Sequence, residues 1–293
     1  MRALLRIGLG LAALLLAAVP AWAQGFNLSR NNNEQIQVYA DGGIEWMNDA
    51  LRVIARGNAK AVRGTVTVTA DTLTAYYRKG AAGDEIWRLD ADGAVTIATP
   101  TETATGHKAS YDLDKAVFVL RGSPARLVTP TDTVTATEML EYWEKDLLAV
   151  ARGDAVAIQK DKQIQADVLT SHFKENAKGS MEMRRADAYR HVVLTTPQEQ
   201  VFGDRGDYNL ESGIATVTGS VKIVRTGNEL NGEYAHVNLN TGISKLFGIG
   251  PGGQGEGRVS GSFTPDKKDA KERRAVFRGP GASGGSSSDD KKP

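Results

Sequence analysis

A spaced pattern of residue types returns seven times along this chain of 293 residues, with a period of about thirty residues. A small or acidic residue is followed five positions later by an aromatic or bulky residue. In five copies a glycine then follows after eleven more positions. The pairs are Asp41/Trp46, Asp71/Tyr76, Gly106/Tyr111, Thr137/Tyr142, Asp167/His172, Gly203/Tyr208 and Gly232/Val237, and the glycines are Gly57, Gly122, Gly153, Gly219 and Gly248. A fixed period of this size indicates stacked supersecondary units that share one continuous core.

The two copies without the glycine spacing carry polar inserts, Lys79–Glu85 and Lys174–Ser180. Residues 38–61 align with residues 134–157 at an offset of 96. The two inserts are separated by nearly the same number of residues. The aligned stretches share the run Ala-Arg-Gly. The sequence therefore predicts an internal duplication of the repeat array.

The residues between the repeat positions alternate as β-strands require. In Thr65–Thr69 both valines fall on one face and the threonines on the other. Short turns rich in Asn, Asp and Gly follow the second residue of most of these pairs, for example Asp112–Lys115 and Asn209–Gly213. Each unit is thus predicted to be strand, tight turn, strand. Turns this short disfavour a parallel β-helix, and no long stretch shows helical periodicity. The predicted fold class is all-β, with repeated antiparallel hairpins.

Composition excludes several kinds of function. The net charge is +1, with 36 basic and 35 acidic residues, so a nucleic-acid partner is disfavoured. The chain has no cysteine, which excludes disulfides, thiolate metal sites, a cysteine nucleophile and a lipoprotein anchor.

The chain divides into four predicted segments. Residues 1–23 are typical of an export signal, with Arg2 and Arg6 before an apolar stretch and a predicted cleavage after Ala23; an uncleaved membrane anchor is the alternative. Residues 24–34 form a polar lead-in, and residues 35–248 form the repeat domain. Residues 249–293, rich in Gly, Ser and charge, are predicted to be a disordered tail. Within it, Ala275–Phe277 is a candidate docking strand.

No catalytic or cofactor site emerges from the sequence. His107, His172, His191 and His236 show no ligand spacing, so no metal site is predicted. Asp41, Asp71 and Asp167 recur at the repeat period, which indicates a structural role rather than paired catalytic carboxylates. No nucleophile, base and oxyanion site assemble in the pattern. The chain is predicted not to be an enzyme and to need no cofactor.

Three short motifs resemble the OstA/LptA family of periplasmic lipopolysaccharide-transport proteins: Ala70–Tyr77, Ala55–Ala59 and Tyr111–Lys115. The similar stretch covers about residues 35–247. The resemblance implies an open-ended, twisted β-jellyroll whose interior groove carries the acyl chains of lipid A. It also implies end-to-end stacking into a bridge between the inner and outer membranes. This chain departs from the family pattern by its two inserts and its longer tail.

Combined with strand alternation, the resemblance predicts which side chains line the groove. They are apolar residues at alternating positions: Val53, Ala55, Val66, Val68, Val95, Ile97, Phe118, Leu120, Val217, Val221 and Ile223. The predicted partners are lipopolysaccharide, through lipid A, and related OstA-like proteins at both membranes. Edge-strand pairing through Gln35–Ala40 and His236–Phe247 is predicted to join them, and to give head-to-tail self-association.

Two other interpretations stay open at this stage. Rows of Val, Ile and Ala suit any β core, so a non-catalytic envelope scaffold or adaptor with a filled interior has the same pattern. Alternatively, the chain is the inner-membrane-anchored partner of the same pathway, which keeps its N-terminal segment. The predicted location with a cleaved signal is the periplasm.

Overall fold

The computed structural model describes residues 35–81, 83–176, 181–249 and 257–264. The predicted signal peptide, the lead-in, Ala275–Phe277 and most of the predicted tail lie outside these ranges. All regular elements in the described part are β-strands. They are β1 (Gln37–Tyr39), β2 (Ile44–Met47), β3 (Arg52–Arg63), β4 (Val66–Gly80), β5 (Gly83–Ala98), β6 (Thr103–Asp112), β7 (Val117–Arg121), β8 (Ala125–Val128), β9 (Asp132–Ala136), β10 (Met139–Trp143), β11 (Leu148–Gln159), β12 (Lys162–Glu175), β13 (Met181–Thr195), β14 (Gln200–Asn209), β15 (Ile214–Arg225), β16 (Asn228–Asn238), β17 (Ile243–Phe247) and β18 (Ser260–Ser262).

The strands form one antiparallel sheet with two halves. Ten long strands run through both halves, and eight short ones fill four further positions in pairs: β1 with β2, β7 with β8, β9 with β10, and β17 with β18. We call the half that contains β2, β7, β10 and β17 half A, and the half that contains β1, β8, β9 and β18 half B. The sheet therefore has about fourteen strand positions, which correspond to the seven sequence repeats. The predicted all-β, open-ended jellyroll of antiparallel hairpins is confirmed.

The repeat glycine marks the corner between the halves. At every corner in the long odd-numbered strands, two successive residues have positive φ, as in Gly57 (76°) and Asn58 (44°) or Gly153 (84°) and Asp154 (39°). Register shifts in the strand pairing occur at the same places. Glycine adopts this backbone conformation without a steric penalty, and such bulges bend a strand. The regular spacing of these glycines in the sequence thus places the corners that they form in line with one another.

In several repeats the first residue of the spaced pair lies opposite a corner. The N–H of Asp41 donates to the Gly57 carbonyl at 2.8 Å, and that of Thr137 donates to the Gly153 carbonyl at 2.7 Å. One corner has no glycine: Arg190 (61°) and His191 (49°) take its place. Both side chains bond the carboxylate of Asp167, the first residue of the spaced pair in that repeat, at 2.9 and 2.7 Å. These bonds lower the pKa of Asp167 and raise that of His191.

The duplication is visible in matching contacts. Trp46 meets Tyr77 edge to face at 6.1 Å, and Tyr142 meets Phe173 in the same way at 6.4 Å. Tyr142 follows Trp46 by 96 positions, and Phe173 follows Tyr77 by the same number, which is the offset found in the sequence. Tyr77 and Phe173 lie on the inner face because each stands four positions after an inner-face residue of half A, Leu73 and Leu169 respectively. The register shifts that follow Tyr76 and His172 come from one extra residue on the neighbouring strands β5 and β13. In these two repeats, therefore, the inner aromatic is the residue after the one that the spacing indicated.

Two predictions about the ends of the repeat domain need correction. β16 pairs with β15 on one side and with β17 and β18 on the other, so His236–Asn238 is not at an edge. Among the described residues, the outermost strands are β1 and β2 at one end and β17 and β18 at the other. The second correction concerns the tail, where Ser260–Ser262 forms β18 by pairing with Glu229–Asn231. The backbone groups of β16 in half B supply the partners that order this segment.

Candidate functional site

The inner face of the sheet is crossed by unbroken apolar rows. In half A, directly paired residues give the row Ile44, Ala55, Leu73, Ala91, Ala109, Leu120, Leu140, Ala151, Leu169, Ala188, Gly206, Val217, Ala235 and Leu246. In half B they give Val38, Ala61, Val68, Ile97, Ala104, Leu127, Val134, Ala157, Ile164, Leu194, Val201, Ile223, Leu230 and Gly261. Neither row contains a polar side chain. The two rows face each other across the corner, so the interior is an apolar trough.

Small residues along the corner allow the two halves to fold toward each other. Here the inner positions are mostly alanine and glycine, including Ala59, Ala125 and Ala155, none of which is measurably exposed. A larger side chain at these positions would push the halves apart. The outer face is polar by contrast, with ion pairs such as Arg152–Glu141 at 3.1 Å and Arg185–Asp187 at 2.6 Å.

The trough opens into a cavity at the β1 end. A cavity of about 880 Å³ lies between β1 and β7, lined by Val38, Val53, Leu73, Ile97 and other apolar residues. Ile36 and Val38 at its mouth are more than a third exposed. In the middle of the sheet the interior narrows to a second cavity of about 100 Å³. Phe118 lines both cavities.

The β17 end holds a hydrophobic cluster. Val201, Val217, Val221 and Ile223 pack together there with Leu194, Ala215, Ala235 and Val237, and none of them is more than 6% exposed. The trough thus borders a cavity at the β1 end and this cluster at the β17 end.

All eleven predicted groove residues lie on the inner face, but the structure divides them. Six border the larger cavity: Val53, Ala55, Val66, Val68, Ile97 and Phe118. Leu120 lines the smaller cavity. The other four, Val95, Val217, Val221 and Ile223, are packed in hydrophobic clusters. The sequence prediction missed Leu73 and Leu89 in the larger cavity and Glu102 in the smaller one. Strand register would have identified the first two, since they extend the same rows.

The described residues lack two other kinds of site. They contain no group of three or more His, Asp or Glu side chains placed to hold a metal ion. They also contain no helix with the length and apolarity needed to cross a membrane.

Comparison with known proteins assigns the family. The model of the family described as LptA/(LptD N-terminal domain) LPS transport protein matches residues 44–146 and again residues 133–243. The chain belongs to this family. Its two consecutive matches agree with the duplication, because each covers about half of the repeat domain. The resemblance inferred from the three short motifs is therefore confirmed.

Two individual proteins are similar to this LptA/LptD N-terminal family member. An uncharacterized protein of Rhizobium meliloti (strain 1021) is 29% identical over 160 residues, which cover 52% of this chain and 83% of the relative. A crystal structure of LptH, described as the LptA homologous periplasmic component of the conserved lipopolysaccharide transport device from Pseudomonas aeruginosa, aligns with 79% of this chain and 96% of its own. The identity is 14% and the TM-score is 0.22. The assignment rests on the two family matches.

Proposed function

We propose that this protein is a periplasmic lipopolysaccharide-binding component that shields the acyl chains of lipid A during transport from the inner to the outer membrane. The observation that carries the proposal is the 880 Å³ cavity at the β1 end of the apolar trough. Its volume is in the upper part of the range of small-molecule sites in proteins, about 300–1,000 Å³. A filled-core scaffold or adaptor, the rival interpretation, has no use for such a cavity.

The cost of exposing hydrocarbon to water explains why a trough is needed. Each exposed CH₂ group costs about 0.8 kcal/mol, so one chain of about fourteen carbons costs on the order of 10 kcal/mol. A lipid with several chains therefore does not cross an aqueous compartment unaided. Apolar rows on the inner face remove most of this cost, because the side chains in the rows offer hydrocarbon contact along the whole sheet.

Lipid co-purification tests this function. Protein isolated from membranes under mild conditions is expected to carry lipid A–containing lipid, detected by mass spectrometry under native conditions and after extraction. Protein that is consistently free of lipid, and that takes up none from lipopolysaccharide micelles, would favour the scaffold. Sequencing of the mature N-terminus separates the periplasmic form, which starts near Gln24, from the inner-membrane-anchored alternative.

The outermost strands support head-to-tail stacking. Because the sheet has an even number of strand positions, β17 runs opposite to β2, so a second copy continues the antiparallel alternation. The cross-strand rows then place Lys245 beside Glu45 of the next copy on the outer face, and Leu246 beside Ile44 on the inner face. The charges are opposite and the apolar row continues. We infer that copies, or related family members at the two membranes, join through these strands.

Cysteine cross-linking tests the stacking because the natural chain has no cysteine. Mixed Glu45→Cys and Lys245→Cys proteins are expected to form a disulfide-linked dimer under mild oxidation, since directly opposed residues in a sheet have Cβ atoms about 5 Å apart. The readout is a non-reducing gel with mass spectrometry of the linked peptides. The control is Lys222→Cys, on the outer face of β15, mixed with Glu45→Cys; this mixture is expected to stay unlinked. Equal linkage of all pairs would contradict the assigned edges.

A further inference from the structure

Three turns at the rim of half B share one design. Residues 99–102, 129–132 and 196–199 have the pattern Thr-Pro-x-acid. In each, the threonine hydroxyl accepts the N–H of the acidic residue, at 3.0, 3.0 and 3.2 Å. The threonine N–H in turn donates to the carbonyl of the acidic residue at 2.9 Å. Each acid lies two positions before a residue of the inner row in half B, so its side chain points into the trough.

Two of the three acids have partners. Asp132 accepts the Gln159 side-chain amide at 2.7 Å and the hydroxyl of Thr131. Glu199 pairs with Arg225 at 3.3 Å and accepts the hydroxyl of Ser244. In both cases the residue on the neighbouring strand supplies a donor. These carboxylates are thus satisfied within the protein.

Glu102 differs from the other two. It is only 5% exposed, and its buried Oε1 has no hydrogen-bond partner among the described residues. Its neighbour across the pairing of β6 and β8 is Thr129, whose hydroxyl is already used within its own turn. A buried polar atom without a partner costs about 1–3 kcal/mol. Such an atom therefore needs an explanation.

The surroundings of Glu102 suggest what partner it lacks. It lines the smaller cavity together with Phe118, Leu127 and Leu140. Burial raises the pKa of Glu102 to about 7, so near neutral pH much of the carboxyl is the neutral acid, which both donates and accepts. The other ionisable residues in this lining are Tyr142 and Glu141, and the Glu141 carboxylate lies on the outer face. The Glu141 carboxylate accepts N–H groups of Arg152 and Trp143 at 3.1 and 3.0 Å.

We propose that Glu102 is a polar subsite within the trough, whose neutral carboxyl group hydrogen-bonds a carbonyl or hydroxyl group carried on an acyl chain. The proposal rests on the proposed lipid-binding function and adds a chemical preference to it. Bare hydrocarbon leaves the carboxyl unsatisfied, whereas an amide-, ester- or hydroxyl-bearing chain satisfies it. The subsite thus favours chains that carry a polar group near the narrow part of the trough.

Two matched probes test the subsite on the full mature chain. N-methyldecanamide and dodecane have similar length and differ in the amide. Their binding is measured by displacement of N-phenyl-1-naphthylamine fluorescence at pH 6. E102L is expected to lower the affinity for N-methyldecanamide about tenfold, as for loss of one hydrogen bond. The affinity of E102L for dodecane is expected to be unchanged or higher. E102Q keeps a donor and an acceptor and is expected to bind the amide like the natural protein.

The pH profile provides a second readout. Between pH 6 and pH 8.5 the natural protein loses the neutral acid, so its affinity for N,N-dimethyldecanamide, which accepts but cannot donate a hydrogen bond, falls, whereas E102Q gives a flat profile. Unchanged amide binding by E102L at pH 6, with normal dodecane binding, overturns the subsite alone. If the natural protein binds neither probe, the lipid-binding function fails and the subsite with it. Thermal melts confirm that each variant is folded.

Discussion

Val68→Arg is expected to remove lipid from the protein while the sheet stays folded. Val68 is half-buried on the inner row of half B and borders the larger cavity. A guanidinium placed there without a partner meets hydrocarbon instead of water, at a cost of several kcal/mol. We therefore expect lipopolysaccharide affinity to fall by about a hundredfold or more. The fold tolerates the change because the cavity opens to solvent, and the long arginine side chain reaches water when lipid is absent.

The neighbouring residue supplies a matched control. Thr67 lies one position earlier on β4, is also half-buried, and points to the outer face. Thr67→Arg adds the same charge to the same strand and is expected to keep its lipid. The measurement is bound lipopolysaccharide per protein, by mass spectrometry after mild purification, together with the thermal melting temperature of each variant. Equal lipid loss in both variants would contradict the assignment of inner and outer faces.

Strand alternation predicted which face each residue takes, but could not predict where the interior is empty. Val68 and Val217 look alike in sequence, since both alternate with threonines. In the structure Val68 borders a cavity, whereas Val217 is 2% exposed within a packed cluster. Arginine at Val217 would disrupt that cluster and test stability rather than lipid binding. Packing density depends on residues from strands far apart in sequence, and periodicity carries no information about it.

Local sequence signals were accurate where local backbone geometry produces them. The repeated glycine spacing has a physical cause in the positive φ of each corner, as at Gly153 and Gly219. The spacing failed at Tyr76 and His172, which lie on the outer face; the inner aromatics are the next residues, Tyr77 and Phe173, which follow the alternation set by Leu73 and Leu169. The outermost strands were also partly misplaced, since β17 and β18 both pair with β16. Register and edge position are set by pairing between strands, which a single sequence does not specify.

Glu102 shows the same limit for polar groups. The pattern Thr-Pro-x-acid is visible three times in the sequence, at residues 99–102, 129–132 and 196–199. Only the cross-strand neighbours distinguish them: Gln159 and Arg225 satisfy two of the acids, and Thr129 leaves the third unsatisfied. The shared turn pattern thus does not show whether the acid has a hydrogen-bond partner, because the adjacent strand supplies that partner.

Phe118→Ala is expected to join the two cavities, and its cost is expected to depend on lipid. Phe118 lines both the 880 Å³ and the 100 Å³ cavity and is 8% exposed. Truncating a buried phenylalanine to alanine typically costs about 3–5 kcal/mol, because transfer energy is lost and a cavity remains. Without lipid, the variant should therefore lose that much free energy of unfolding in urea titrations.

Lipid should restore part of this loss if the trough holds acyl chains, because a chain can fill the space that the ring leaves. Saturating N-methyldecanamide is thus expected to stabilise Phe118→Ala by more than it stabilises the natural protein. Phe202→Ala is the control, since Phe202 lies on the outer face beneath Lys222, and its smaller destabilisation should be insensitive to the amide. A loss at Phe118→Ala that the amide leaves unchanged would mean that the ring closes a packed core, and that chains stop at the larger cavity.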